Sequence, residues 1–312
     1  MGVWHLSGLG LNPGAITVPL SYIYLCLKQA SCGDERAREF FRTSGELGEK
    51  LPGKPEALII FTSISVIKGE TQGEIIDNWF HTKKGKNAQE TIKSYLQKLL
   101  EELKLERFYG NTWLKYFYLI EVDHQDFDDC FKKIAITLNA LMDKEIWINM
   151  IGGTNQINAA LLSSSGFTST ASVYYYLFQS NIKLLHPEIE KPDFKNLRIA
   201  LPPPSWHWLP YFSLDMSSLY NKLKELFECR ETLNIGEIKH LLTELNFPTQ
   251  FLSKLRGSFL QIYGEKVKKG PMLEYWGKIW QDLKNEFIEI NGFSKWEKWA
   301  KEKNILTEVS PV

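Results

Sequence analysis

Between residues 146 and 165 the chain reads IWINMIGGTNQINAALLSSS, and few folds accommodate such a run. Ile146, Trp147, Ile148, Met150 and Ile151 form a short, nearly unbroken apolar stretch, the pattern of a strand buried on both faces. It stops at Gly152-Gly153, after which Ile157, Ala160 and Leu161 recur at helical spacing. Strand, glycine turn and helix in that order leave unpaired backbone N–H groups at a helix start, where they can hold an anion. Thr154 and Asn155 stand at that entrance, able to cap the helix or to touch a ligand. The same residues also fit an ordinary strand-to-helix turn, since Gly-Gly-Thr has neither the Walker nor the dinucleotide-binding spacing. If a phosphate lies on this turn, Gly153 matters for the space it leaves, and Gly153→Val should block binding, with little loss of fold if its backbone angles tolerate a side chain.

The preceding chain repeats this alternation. Residues 3–6 form a short apolar strand running into SGLGLNPGAITV, where Gly8, Gly10 and Gly14 surround Asn12 and Pro13 without matching GxGxxG. A helix carrying Ile16, Leu20, Ile23 and Leu27 follows. Residues 57–62 (ALIIFT) predict a second buried strand whose end exposes Thr62 and Ser63. Residues 88–105 predict an amphipathic helix, and residues 114–122 a third strand closing on Asp123-His124. That pair suits either acid–base chemistry or capping of the helix at 127–138. A strand at 172–178 follows the organising segment. Strands alternating with helices imply an α/β fold, a Rossmann-like, mostly parallel sheet covered on both sides. The loops at 7–17 and 152–156 should then share one edge of that sheet. The lysines at 83, 84 and 86 suit a solvated loop better than a phosphate patch.

Residues 186–214 change character, with Pro202-Pro203-Pro204 followed by Trp206-His207-Trp208. No regular helix or central strand tolerates such a stretch, so it reads as a connector. Residues 215–312 are mainly helical. Helices at 235–245 and 249–260 outline a helix-turn-helix, and residues 265–269 could add a small wing. Fifteen Lys and Arg against fourteen Asp and Glu in 215–312 argue against dedicated DNA binding. Tryptophans at 276, 280, 296 and 299 suggest a core or an interface.

Over the whole chain, 37 basic residues balance 37 acidic ones, which gives no sign of a nucleic-acid or membrane partner. The four cysteines show no metal-like spacing and read as free thiols of a cytoplasmic protein. No metal constellation, cofactor motif, leader or membrane span is expected.

Taken together, the opening strand with SGLGLNPGAIT, the second strand ending FTSIS, and WINMIGGTNQINAALL resemble a CARF domain, the CRISPR-associated Rossmann-like sensor. Gly152-Gly153-Thr154-Asn155 matches that family's Gly-Gly-Thr-Lys/Asn turn directly, and the first loop matches more loosely. The resemblance covers about residues 1–185, which gives a CARF-like domain at 1–185, a connector at 186–214 and a helical, winged-helix-like domain at 215–312. It implies a homodimer that binds a cyclic oligoadenylate, a tetra-adenylate in this expectation, across its two-fold axis. By the same resemblance Gly8, Gly10, Asn12, Pro13, Gly14, Thr17, Thr62, Ser63, Gly152, Gly153, Thr154, Asn155 and Gln156 would line the ligand. Ser7, Asn12 and Asn155 would serve metal-independent ring cleavage, in which the ribose 2′-OH attacks the adjacent phosphate. Asn155 replaces the Lys of the commoner motif, which removes a charge from the phosphate site. No Arg is followed by His four to six residues later, so the family's HEPN ribonuclease partner is excluded. A ring-responsive transcriptional regulator, and an unrelated Rossmann-like enzyme using a mononucleotide, stay open as alternatives.

Overall fold

The computed structural model describes residues 2–42, 54–70, 87–105, 114–168, 173–178, 206–209 and 216–312. The lysines at 83, 84 and 86 and most of the proline-rich connector lie outside them. Five parallel strands make the centre: β1 (Val3–Gly8), β2 (Pro55–Thr62), β3 (Tyr116–Glu121), β4 (Glu145–Asn149) and β5 (Val173–Phe178). Their spatial order is 3-2-1-4-5, the doubly wound order in which the sequence reverses direction beside β1. Four of the five carry the unbroken apolar runs that a sheet covered on both faces demands, while β1 buries His5 and Ser7 among its apolar residues. Alternate residues serve opposite faces. Val3, Leu58, Phe117 and Trp147 pack under α1 (Gly14–Ser31) and α4 (Ala88–Leu103). Trp4, Ile59, Tyr118 and Ile148 pack under α5 (Phe127–Ala140) and α6 (Asn155–Thr168). Two short helices, α2 (Glu35–Arg42) and α3 (Ile64–Ile67), complete this half.

Both edges are closed by antiparallel strands from later in the chain. On one side β6 (Trp206–Leu209) pairs with β5, so the connector contains an edge strand, and Trp206 stacks on Tyr176 at 4.3 Å. His207 is exposed rather than docked among apolar groups. On the other side β10 (Leu306–Val309) pairs with β3, Leu306 opposite Ile120.

Residues 215–312 therefore do not stand apart from the sheet as the sequence suggested. One face of the second half of α10 (Pro271–Glu289) and one face of α11 (Phe293–Glu302) join the core with β3 and α5. Trp296 is fully buried there and donates its indole N–H to Thr137 Oγ1 at 2.9 Å, while Tyr118 donates to Glu297 at 2.8 Å. The tryptophan stripe is in this respect core, although the side chain of Trp276 lies outside the described residues.

Between the two edge strands sits a smaller unit with its own core. It runs α7 (Met216–Cys229), β7 (Leu233–Asn234), α8 (Ile235–Glu244), a 3-10 turn at Thr249–Phe251 continuing into α9 (Leu252–Leu255), then the hairpin β8 (Leu260–Tyr263) and β9 (Lys266–Lys269). Its three strands form an antiparallel sheet in the order β7-β9-β8. Asn234 caps α8 through a full capping box with Glu237. The second helix ends at Leu255, earlier than the periodicity predicts, because Gly257 turns the chain at φ +89° into β8.

Candidate functional site

The carboxyl ends of β1 and β4 adjoin at the switch point of the sheet, where open α/β sheets bind their ligands. The loops following these two strands meet there. Their meeting point is backbone on backbone: a Cβ on Gly152 would lie 2.1 Å from the Gly8 carbonyl oxygen, and one on Gly8 would lie 2.8 Å from Gly153 Cα. Gly153 also has φ +85°, a conformation side chains strain to adopt. These three glycines are thus needed for each other, and the condition on which Gly153→Val would spare the fold, backbone angles that tolerate a side chain, is not met.

A buried residue that the sequence reading passed over fixes the second loop. Asn149, the last residue of β4, donates to the Ala15 carbonyl at 2.7 Å and accepts from the Ile151 N–H at 2.9 Å. One amide side chain thereby ties the glycine turn to the first turn of α1. The available signal was a lone amide interrupting an apolar run three residues before a glycine pair.

Several expected ligand residues are instead committed to the scaffold. Ser7 is buried and donates its hydroxyl to the Gly8 carbonyl at 2.9 Å. Asn12 Oδ1 accepts from the Gly14 N–H at 2.9 Å, and the Pro13 carbonyl accepts from Ile16 and Thr17, which starts α1. Thr17 is buried, with its hydroxyl 3.4 Å from the Pro13 carbonyl. Thr62 is buried and donates to the Leu9 carbonyl at 2.7 Å, locking the first loop to β2. Ser63 pairs with Ser65 at 3.0 Å beside that contact, away from the glycine turn. Thr154 caps α6: its hydroxyl lies 3.4 Å from the Ile157 N–H and 3.3 Å from the His124 carbonyl.

What is left for a ligand is specific. The backbone N–H groups of Gly152, Gly153, Thr154, Asn155 and Gln156 have no acceptor among the described residues. Gly152 is buried, and buried N–H groups seldom go unpaired. Asn155 is exposed and Gln156 half-exposed, and neither side-chain amide is engaged. Gly10 faces open space. Residues 9–13 and 150–156 contain no titratable side chain. These two loops therefore offer neutral donors and a helix start to an anion.

Asp123 and His124 do not form an acid–base pair. Asp123 accepts from the Gln125 N–H at 3.0 Å, His124 presents its carbonyl to Thr154, and the residue capping α5 is Asp126. Among the described residues no group of His, Cys, Asp and Glu is arranged to hold a metal, and the four cysteines are free. No helix among them is long and apolar enough to cross a membrane. An open groove of about 720 Å³ lies elsewhere, between α7 and α8. Ion pairs Lys222–Glu225 and Arg230–Glu237 already satisfy its cations, so it lacks the unmatched donors of the switch point.

No family model matches the chain. An uncharacterized protein of Archaeoglobus fulgidus is 41% identical over 319 residues, covering 99% of this chain and 98% of that protein. Among solved structures, Enterococcus italicus Csm6 bound to cyclic hexa-2'-fluoro-hexa-dAMP aligns with 79% of this chain at 12% identity and a TM-score of 0.40. The chain spans 49% of the length of that structure.

Proposed function

This chain belongs to the family of the uncharacterized Archaeoglobus fulgidus protein, and from that premise we propose that it binds a cyclic oligoadenylate at the two-fold axis of a homodimer. The observation that carries the reading is the row of N–H groups from Gly152 to Gln156 at the start of α6, without acceptors among the described residues and set at the switch point beside the first loop. A cyclic oligonucleotide presents one phosphate per unit and repeats itself about an axis. Two copies of one neutral, donor-rich loop pair match it in symmetry and in chemistry. The sequence resemblance of SGLGLNPGAIT and IGGTNQ to the CARF domain supports the same ligand class.

The geometry supports ring binding further than ring cleavage. Of the three residues assigned to cleavage, Ser7 is buried and Asn12 is occupied in starting α1, which leaves Asn155. Cleavage would then rest on Asn155 and the N–H row orienting the 2′-OH and its phosphate.

Radiolabelled cyclic tri-, tetra- and hexa-adenylate, run on retention and product gels, test both parts. Asn155→Ala/Gln156→Ala should weaken retention by about 1–3 kcal/mol without moving the unfolding midpoint, since it removes exposed donors only. Gly10→Val should abolish retention by filling open space. Wild type that retains none of the three rings sinks the proposal. Wild type that holds a ring intact for hours restricts the function to sensing.

A further inference from the structure

The charge balance of residues 215–312 conceals a separation. In residues 216–245 four Lys and Arg face five Glu, and three of the four are paired: Lys222–Glu225 at 3.3 Å, Lys224–Glu228 at 3.6 Å and Arg230–Glu237 at 2.7 Å. In residues 246–270 Lys254, Arg256, Lys266, Lys268 and Lys269 face Glu265 alone. All five of these cations are exposed, and none has an ion pair or a side-chain hydrogen bond among the described residues.

Four of them lie along one strip, while Lys269, opposite Leu260, falls on the other side of the hairpin. Lys254 and Arg256 end α9, and Arg256 bridges to Leu260 where β8 begins. Across the hairpin Gln261 stands opposite Lys268 and Tyr263 opposite Lys266, so those four side chains share a face, with Val267 turned into the core. Tyr263 is 63% exposed at the turn, an aromatic that the core does not use. Leu252, Leu255, Leu260 and Val267 hold helix and hairpin from beneath, which makes the strip rigid.

We propose that this strip, the 3-10 turn with α9 together with the outer face of the β8–β9 hairpin, binds double-stranded DNA. Unpaired cations spaced along a surface held by its own core suit the regular phosphates of a duplex. The exposed Gln250 on the turn before α9 carries the amide that reads an adenine edge in a major groove. Only B-form DNA has a major groove wide enough to admit a helix, because that of A-form RNA is too narrow. The proposal does not depend on ring binding.

Fluorescence anisotropy of the full chain on a mixed-sequence DNA duplex is the test. Four phosphate contacts should weaken binding about a hundredfold between 50 and 200 mM salt. Lys254→Glu/Arg256→Glu and Lys266→Glu/Lys268→Glu should each cost about tenfold or more and lower the salt slope by about two. The milder Lys266→Gln/Lys268→Gln should lie between them and wild type. Lys222→Glu/Lys298→Glu, which alters cations already paired elsewhere, should bind as wild type does. Thermal melts of every variant verify folding. No wild-type binding at 50 mM salt, equal binding to duplex RNA or to polyglutamate, or reversal variants that bind normally would each overturn the proposal.

Discussion

The contact between Gly8 and the Gly152-Gly153 turn gives the sharpest stability prediction. In Gly152→Ala the new methyl would lie 2.1 Å from the Gly8 oxygen and 3.1 Å from Ser7 Oγ, so something must move by more than an ångström. The obstacle is backbone, and β1 is held by β2 on one side and β4 on the other, so it cannot yield cheaply. We expect a loss of about 3 kcal/mol or more. Gly153→Ala combines a 2.9 Å approach to Gly8 Cα with φ +85°, for about 2–4 kcal/mol in total. Gly8→Ala meets Ile157 Cγ2 at 2.7 Å and Gly153 Cα at 2.8 Å, and should cost about as much. Because Gly8 and Gly152 share one contact, the double variant should cost clearly less than the two singles added. Gly10→Ala is the control: nothing lies within 4 Å of its new methyl, and stability should stay within about 0.5 kcal/mol of wild type. Urea unfolding of the five variants measures all of this. If Gly152→Ala unfolds at the wild-type midpoint, the loops are not in contact and the glycines serve the ligand instead.

Three further outcomes are expected. Asn149→Leu should cost about 2–4 kcal/mol, since it strands both the Ala15 carbonyl and the Ile151 N–H; a change below about 0.5 kcal/mol in urea would show that neither bond matters. Burial lowers the pKa of His5 from its ordinary 6.5 to about 3, and both ring nitrogens lack a hydrogen-bond partner among the described residues. Below pH 6.5 the unfolded chain takes up a proton that the folded one refuses, so stability falls by up to about 1.4 kcal/mol per pH unit down to about pH 3. His5→Leu should remove that component, seen as a wild-type-minus-variant difference that grows between pH 7.5 and pH 4.5; a constant difference would mean the imidazole protonates freely in place. Trp296→Ala should cost about 3–5 kcal/mol and loosen β3, read as faster hydrogen exchange in residues 117–120; exchange confined to α11 would contradict a shared core.

The parallel strands were legible because double-sided burial writes itself as ALIIFT or YFYLIE, short runs that need no partner to be recognised. From them came the alternation and the adjacency of the two loops. The closing strands were not legible. LTEV alternates weakly over four residues, and WHWL sits among prolines, so their strand character comes from the edge that each completes. The crowding of the glycines was not legible for a related reason. What crowds Gly152 is Gly8, far away in the chain, and no local pattern reports a neighbour brought there by the sheet. Asn149 escaped notice because its two partners are backbone atoms, which have no letter in a sequence.

The pairing of β10 with β3 has a consequence for synthesis. A ribosome delivers Ile120 long before Leu306, so through most of translation the outer edge of β3 has its peptide groups bare. Such an edge is a template for any passing strand. The smaller unit, with its own core, can form while that edge waits. Slow elongation or early release should therefore yield chains with a folded middle and a sticky flank, and co-expressed β10 segment supplied in trans should reduce their aggregation.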